Sequence, residues 1–554
     1  MNSNRIMSQL FALAFFLIPS ASMAQSTLDV AVSSEMGRAM KELQEPTYPR
    51  PYYIGITVAD VDDLDSECDM GALNWSQYWS GRALTPDVRV GSYAFDNHPN
   101  PEPHGFVGAW ISRDNNLFAL RHDIWLSLDE SYKTATADFL RKEALRVRDG
   151  KREYDTDDLS HENPVRSDIS SHAVFSNGVV QKRMDGMCRQ VSEVFRRKPS
   201  LIQGNVSLER RLTASHFYNS EGSRVQQTQD IIHVDLNTSA ISSDGMRLYA
   251  SRSFIALSSS ALPSSNKMIA AAGEMIADIN ELKVAHSTSP FGAPALVDPS
   301  VSAAIALSLG LSLSGEEERN PSGAQIFRGK LGKFVFSKDL TLTDNPIATI
   351  FNGAPLIGAY TYDAEGVAAQ KVVLVDHGRL KNFLLSRYPI IGFLHSNGHA
   401  RAEAGYWPKA FPGNLFLQTS QSVSHKKLMK LLMRAARQEG KSYGLWIRRL
   451  RGFVQENSAS GEESLRIMPE LLYLVDSKTG KLTLVRGLDM VGTPLGLLSH
   501  VLSEGADMKP SDHIIHWVPI SVVAPSLLLS EVELQRSKET PVKPPILGAP
   551  GVTP

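Results

Sequence analysis

Two short stretches of this chain carry side chains whose types and spacing could do chemistry. In "LHSNGHAR" (Leu394 to Arg401), His395, Asn397, His399 and Arg401 crowd together. Asn397 and His399 can hydrogen-bond a peptide backbone, and the Arg401 guanidinium can hold a carboxylate bidentately, so these three are candidate binding residues. The same residues would serve equally well as the polar frame of a structural loop. In "SDHIIHW" (Ser511 to Trp517), His513 and His516 stand three apart. One helical face could offer both to a metal, whereas a strand would point them to opposite faces. Trp517 and the following "VPISVVAP" favour a strand, and a metal site would need a further ligand such as His399.

Other reaction types find little footing. "LSLSG" (Leu311 to Gly315) lacks the strained Gly-x-Ser-x-Gly elbow, and "GKLGKF" (Gly329 to Phe334) lacks the spacing of a phosphate loop. Cys68 and Cys188 are the chain's 2 cysteines, which excludes a Cys-rich zinc knuckle. An oxidising compartment would permit a disulfide between them, and two separate thiols fit the spacing as well.

The elements that must position these groups divide the chain. At 554 residues, with 42% hydrophobic and 21% charged side chains, it exceeds one ordinary core. A net charge of -2 gives no footing for a nucleic-acid partner, and after the N-terminus no apolar run is long enough for a transmembrane segment. "MNSNRIMSQLFALAFFLIPSASMAQS" has Arg5, an apolar run from Leu10 to Ile18, Pro19, and small residues at Ser22 and Ala24. That layout predicts a signal peptide over 1–24 and a secreted, periplasmic mature chain.

The expected fold class is α+β, with an α/β N-terminal domain over 25–206 and connecting strands and a helix over 207–285. A β-rich C-terminal domain follows over 286–536, then a Pro-rich extended tail over 537–554. Helices are expected over Ser26 to Glu45, Leu128 to Arg148, Ser264 to Ala285 and, strongly basic on one side, His425 to Gly440. Strands are expected at Pro51 to Val61 and Ala83 to Asn97, and a turn at "NSEG" (Asn219 to Gly222). "KREYDTDDLSHENPVRSD" is expected to be an exposed loop.

One helix stands out. "DPSVSAAIALSLGLSLSGEEERN" (Asp298 to Asn320) is almost wholly Ala, Leu, Ile and Ser between its end signals. Asp298 is placed to cap the first turn, and Pro299 suits the first helical position. Gly315 is expected to end the helix in a left-handed conformation, with Glu316, Glu317 and Glu318 in solvent.

The order of segments from this helix onward closely resembles the TldD/PmbA proteins, the modulator-of-gyrase family, many of whose members are zinc metallopeptidases. The resemblance rests on "DAEGV" (Asp363 to Val367), "HGRLKNFLLSR" (His377 to Arg387), "SNGHAR" (Ser396 to Arg401) and, earlier, "YNSEGS" (Tyr218 to Ser223). In active members a helix carries His-Glu-x-x-x-His. Its two His side chains bind zinc and its Glu is the general base, while a C-terminal Cys completes the site. Histidines five apart diverge by about 140° on a regular helix, so a local distortion must bring them together.

Matching "LSGEE" to the family pattern puts Ala306 at the first His, Leu307 at the Glu and Leu311 at the second His, with Gly310 kept. No Cys follows Cys188. The resemblance therefore implies a zinc helix without its zinc, with no catalytic residue and no metal ligand to carry over. It also implies a dimer with a peptide-admitting cleft, formed with a second copy or with an active TldD-like paralogue. On that basis the expected function is a non-catalytic subunit or peptide-binding scaffold. The alternative is an active metallopeptidase using a relocated histidine site.

Overall fold

The computed structural model describes residues 26–98, 107–150, 154–169, 177–196, 198, 200–320, 326–457, 463–539 and 542. The expected signal peptide and nearly all of the expected tail lie outside the described residues. The fold is α+β, as the residue patterns predict. Among the described residues no helix is long and apolar enough to cross a membrane.

The first half is one large antiparallel sheet with helices against it. Strand Pro51–Asp69 lies between Ala72–Ser92 and Gln203–Asn219, and Arg224–Ile241 continues the sheet beyond them. The strands after residue 207 thus complete the sheet begun at residue 51. Both long strands exceed the expected segments because the hairpin between them closes on Met70 and Gly71, each with positive φ. That two-residue turn matches the strands' right-handed twist. The "NSEG" turn joins Gln203–Asn219 to Arg224–Ile241 as expected.

Helix Thr27–Glu42 starts from a capping box, in which Ser26 and Asp29 bond each other's backbone N–H. Helix Leu117–Asp149 extends a full 33 residues, capped by Asn116 and ended by left-handed Gly150. The expected 128–148 segment is its distal part. Cys68 on the first strand and Cys188 on helix Asn177–Ser192 form a disulfide, with Cα atoms 5.8 Å apart.

The charged 151–168 stretch departs from an exposed loop. Asp158 in it is buried, accepting from Lys142 Nζ at 2.7 Å, Arg319 Nη2 at 2.7 Å and the Asp96 amide at 2.9 Å. Two cations and an amide recover the solvation that Asp158 gives up, which buries this part of the segment while Asp155, Asp157, His161 and Asn163 stay exposed.

The second half contains two further sheets with the apolar helix Pro299–Ser312 packed between them. In one sheet, strands Tyr443–Asn457, Gly292–Val297, Leu527–Arg536, Leu488–Gly492 and Glu463–Asp476 form a ring, since the first and last also pair. In the other, Leu340–Asp344, Asn414–Thr419, Val518–Ala524 and Lys509–Ile515 lie side by side. The basic helix His425–Gln438 covers the ring's outside with Leu428, Leu432, Ala435 and Ala436.

Three details of the apolar helix differ from expectation. Pro299 does occupy its first turn, but the Asp298 side chain caps nothing. It accepts instead from Trp446 Nε1 at 2.8 Å, a stronger claim because that indole is half-buried. Gly315 is not left-handed; it begins the next short helix, Gly315–Arg319. A Cβ there would lie 2.8 Å from Leu385, so close packing explains the glycine. Glu316 is not free in solvent either, since its carboxylate accepts from Ser314, Ser386 and the Ala410 amide.

Candidate functional site

The helix that the family pattern singles out is sealed. Ala306 and Leu307 are 0% exposed, and every residue from Val301 to Gly310 is buried. Leu311 is half-buried against the same core. A single apolar face could not produce this; sheets on several sides must cover the helix. Gly310 is needed for one of these approaches, because a Cβ there would lie 2.5 Å from Leu415 Cδ1. The polar groups of the helix are spent internally. Ser308 Oγ donates to Gln455 at 2.8 Å, and Ser312 Oγ to the Ser308 carbonyl at 3.1 Å.

A zinc ion does not fit these positions. Ala306, Leu307 and Leu311 offer no lone pair, and the surrounding side chains are hydrocarbon. Among the described residues no group of three or more His, Cys, Asp or Glu side chains is arranged to hold a metal.

His513 and His516 do not share a face. His513 sits within strand Lys509–Ile515, with Ser511 Oγ at 3.2 Å and Phe453 edge-on at 6.3 Å. Burial lowers its pKa to about 4, so it is neutral at pH 7. His516 is in the tight turn to the next strand, where it and Trp517 both have positive φ.

The "SNGHAR" residues form a frame. Asn397 Oδ1 accepts the Leu385 amide and its Nδ2 donates to the Phe383 carbonyl, both at 2.8 Å. His399 is fully buried between Asn397 Oδ1 at 2.8 Å and Asp344 Oδ1 at 3.3 Å. His395 is exposed, 3.6 Å from Glu162. Gly398 has φ +74°, and a Cβ would strike the Ala368 carbonyl at 2.1 Å, so no other residue fits. Arg401 Nη1 donates to the carbonyls of Pro412 at 3.1 Å and Pro519 at 2.8 Å, with its guanidinium 4.7 Å from the Tyr360 ring. Of the three candidates, only Arg401 lines an open cleft.

That cleft, of 380 Å³, lies between the first sheet and loops of the second half. The sheet contributes Thr57, Thr213, Ser215, Gln227 and Gln229, and the loops Tyr360, Arg401, Glu403 and Trp517. Arg211 crosses the junction, bonded to both oxygens of Asp63 and to Glu403 at 2.8 Å, with its guanidinium over Trp517 at 3.9 Å.

Four motif segments that are separate along the chain meet behind the cleft. Asp363 of "DAEGV" accepts from the amides of Glu365, Val367 and, across the loop, Ala400. Glu365 accepts the Arg387 amide at 2.7 Å. Arg387 holds Glu221 of "YNSEGS" through two bonds, at 2.6 and 2.9 Å. Burial first, and then the Asp363 charge, pushes the Glu365 carboxyl well above its ordinary range.

Residues 292–536 match the PmbA/TldA metallopeptidase C-terminal domain. A metalloprotease of Methanothermobacter thermautotrophicus is 26% identical over 310 residues, covering 56% of this chain and 63% of that protein. The chain thus spans under two thirds of that relative's length. A metalloprotease of Archaeoglobus fulgidus is 32% identical over 97 residues, 18% of this chain and 21% of that one. The solved structure of TldE from Thermococcus kodakarensis superposes with a TM-score of 0.61 at 12% identity, over 91% of this chain and 99% of that one. At that identity the likeness is one of fold.

Proposed function

This chain belongs to the TldD/PmbA family, and from that premise we propose that it is an exported, metallopeptidase-like subunit that binds peptide without cutting it. The observation that carries the reading is the sealed helix. Ala306, Leu307 and Leu311 stand where active members place two zinc ligands and the general base, and hydrocarbon fills the space around them. A site with neither ligand nor base has no means to activate water. The 380 Å³ cleft remains, with neutral hydrogen-bonding side chains on its sheet wall, of the kind that suit a peptide backbone, and Arg401 among its loop residues.

Export is supported by the N-terminal leader pattern and by the Cys68–Cys188 disulfide, which belongs in an oxidising compartment. The working partner would be a second copy or an active TldD-like paralogue that supplies catalysis.

Metal analysis of the mature protein, purified without a metal-binding tag, tests the reading. Less than about a tenth of a zinc per chain is expected, since intact protein zinc sites retain their ion. Near one zinc per chain, with chelator-sensitive cleavage of unfolded peptide, would overturn it in favour of a relocated histidine site.

A further inference from the structure

Arg401 has a feature that its backbone contacts do not use. Both Nη1 hydrogens are occupied, by the carbonyls of Pro412 and Pro519. No described side chain or backbone group bonds Nε or Nη2, and neither atom is sealed from solvent. Among the described residues no carboxylate lies within ion-pair distance of the guanidinium. Two acids of the same region are committed elsewhere. Asp344 accepts the Gly413 amide at 2.9 Å and faces His399, and Glu403 is held by Arg211.

Most buried or half-buried guanidinium groups elsewhere in this chain have an acid. Arg82 pairs with Asp60, Arg89 with Asp87 and Asp96, Arg319 with Asp158 and Arg387 with Glu221. A guanidinium fixed on one side and open on the other presents the planar Nε–Nη2 edge that matches a carboxylate. The ring of Tyr360 supports its face, so little rotational freedom remains to be lost on binding.

The wall opposite extends the site. Thr57, Thr213, Ser215, Gln227 and Gln229 come from three adjacent strands of the first sheet, with Ser215 directly opposite Gln227 and Thr213 opposite Gln229. Among the described residues none of these five side chains makes a hydrogen bond.

We infer that the Nε–Nη2 edge of Arg401 is a carboxylate clamp, which anchors a peptide in the cleft by its C-terminal carboxylate or by an acidic side chain while the Thr, Ser and Gln wall meets the backbone. This rests on the peptide-binding reading above and names the chemical group that the site selects. Burial also lowers the Arg401 pKa, so a bound anion would restore what burial takes from the charge.

The test compares three probes on the full mature chain by titration calorimetry at low salt: N-acetyl-tetraalanine as free acid, the same peptide as its C-terminal amide, and N-acetyl-Ala-Glu-Ala amide. The free acid should bind at least about tenfold more tightly than the amide, because a site built around a charged donor penalises the ligand that leaves it unpaired. If the Glu-containing amide matches the free acid, the clamp takes either source. If it matches the plain amide, the clamp is specific for a chain terminus. Arg401→Lys, which retains charge but loses the planar edge, should reduce the acid preference severalfold with thermal unfolding close to wild type. Equal binding of acid and amide by the wild type, absence of binding by all three, or an undiminished preference in Arg401→Lys would overturn the inference. Zinc and turnover would sink the preceding reading while leaving an acid preference intact, so the two failures are separable.

Discussion

At the scale of single residues, Leu307 and His513 show opposite ways in which burial sets chemistry. Leu307 is fully enclosed by apolar side chains, so Leu307→Ala should leave a cavity and cost about 2–5 kcal/mol, read from urea unfolding. A carboxylate in its place would be a buried charge without a partner. His513 is held neutral, with its pKa lowered to about 4 by burial. The unfolded chain, near 6.5, binds the proton first, so the folded state loses His513-linked stability as pH falls from about 6.5 towards 4. His513→Gln removes that proton and should flatten this part of the stability profile; an unchanged slope would mean that other groups carry it.

Secondary elements and loops decide more than their own conformation. The junction behind the cleft is built from turns contributed by both halves, and one of its links is Arg387 with Glu221, of which Arg387 is 1% exposed. Glu221→Gln leaves that guanidinium buried without its anion and should cost about 3–5 kcal/mol in unfolding free energy. A loss below 1 kcal/mol would show that Ser160 and Tyr53 suffice to hold Arg387. Gly398 belongs to the same element, where the left-handed backbone and the Ala368 carbonyl leave no room for a Cβ. Its alanine variant should displace Asn397 and His399 from the Leu385 amide and from Asp344.

For the whole molecule, the first sheet and its helices are tied by Cys68–Cys188 across 120 residues of chain. Replacing both cysteines by serine should lower stability by about 2–4 kcal/mol, with mass spectrometry of the unreduced parent showing two hydrogens fewer than the reduced form. A parent that is already reduced after export would remove the support which this bond lends to an oxidising compartment. The cleft is also a property of the whole, since one wall comes from the first sheet and the other from second-half loops.

Several features were legible in residue order alone. Pro299, the amphipathic pattern of His425–Gln438 and the "NSEG" turn are local facts of spacing and residue chemistry. The α+β class follows from the same periodicities. What the residues could not state was which partners each polar group would find. Asp298 bonds Trp446 from 148 positions away, Glu316 bonds Ser386 and Ala410, and Asp158 enters the interior because Lys142 and Arg319 arrive with it. His399 and Arg401, two residues apart, part company for the same reason: Asn397 and Asp344 enclose one, and the strands leave an edge of the other open. Local propensity reflects neighbours along the chain, whereas solvation of a buried charge depends on neighbours in space. Only the packing of the sheets decides those.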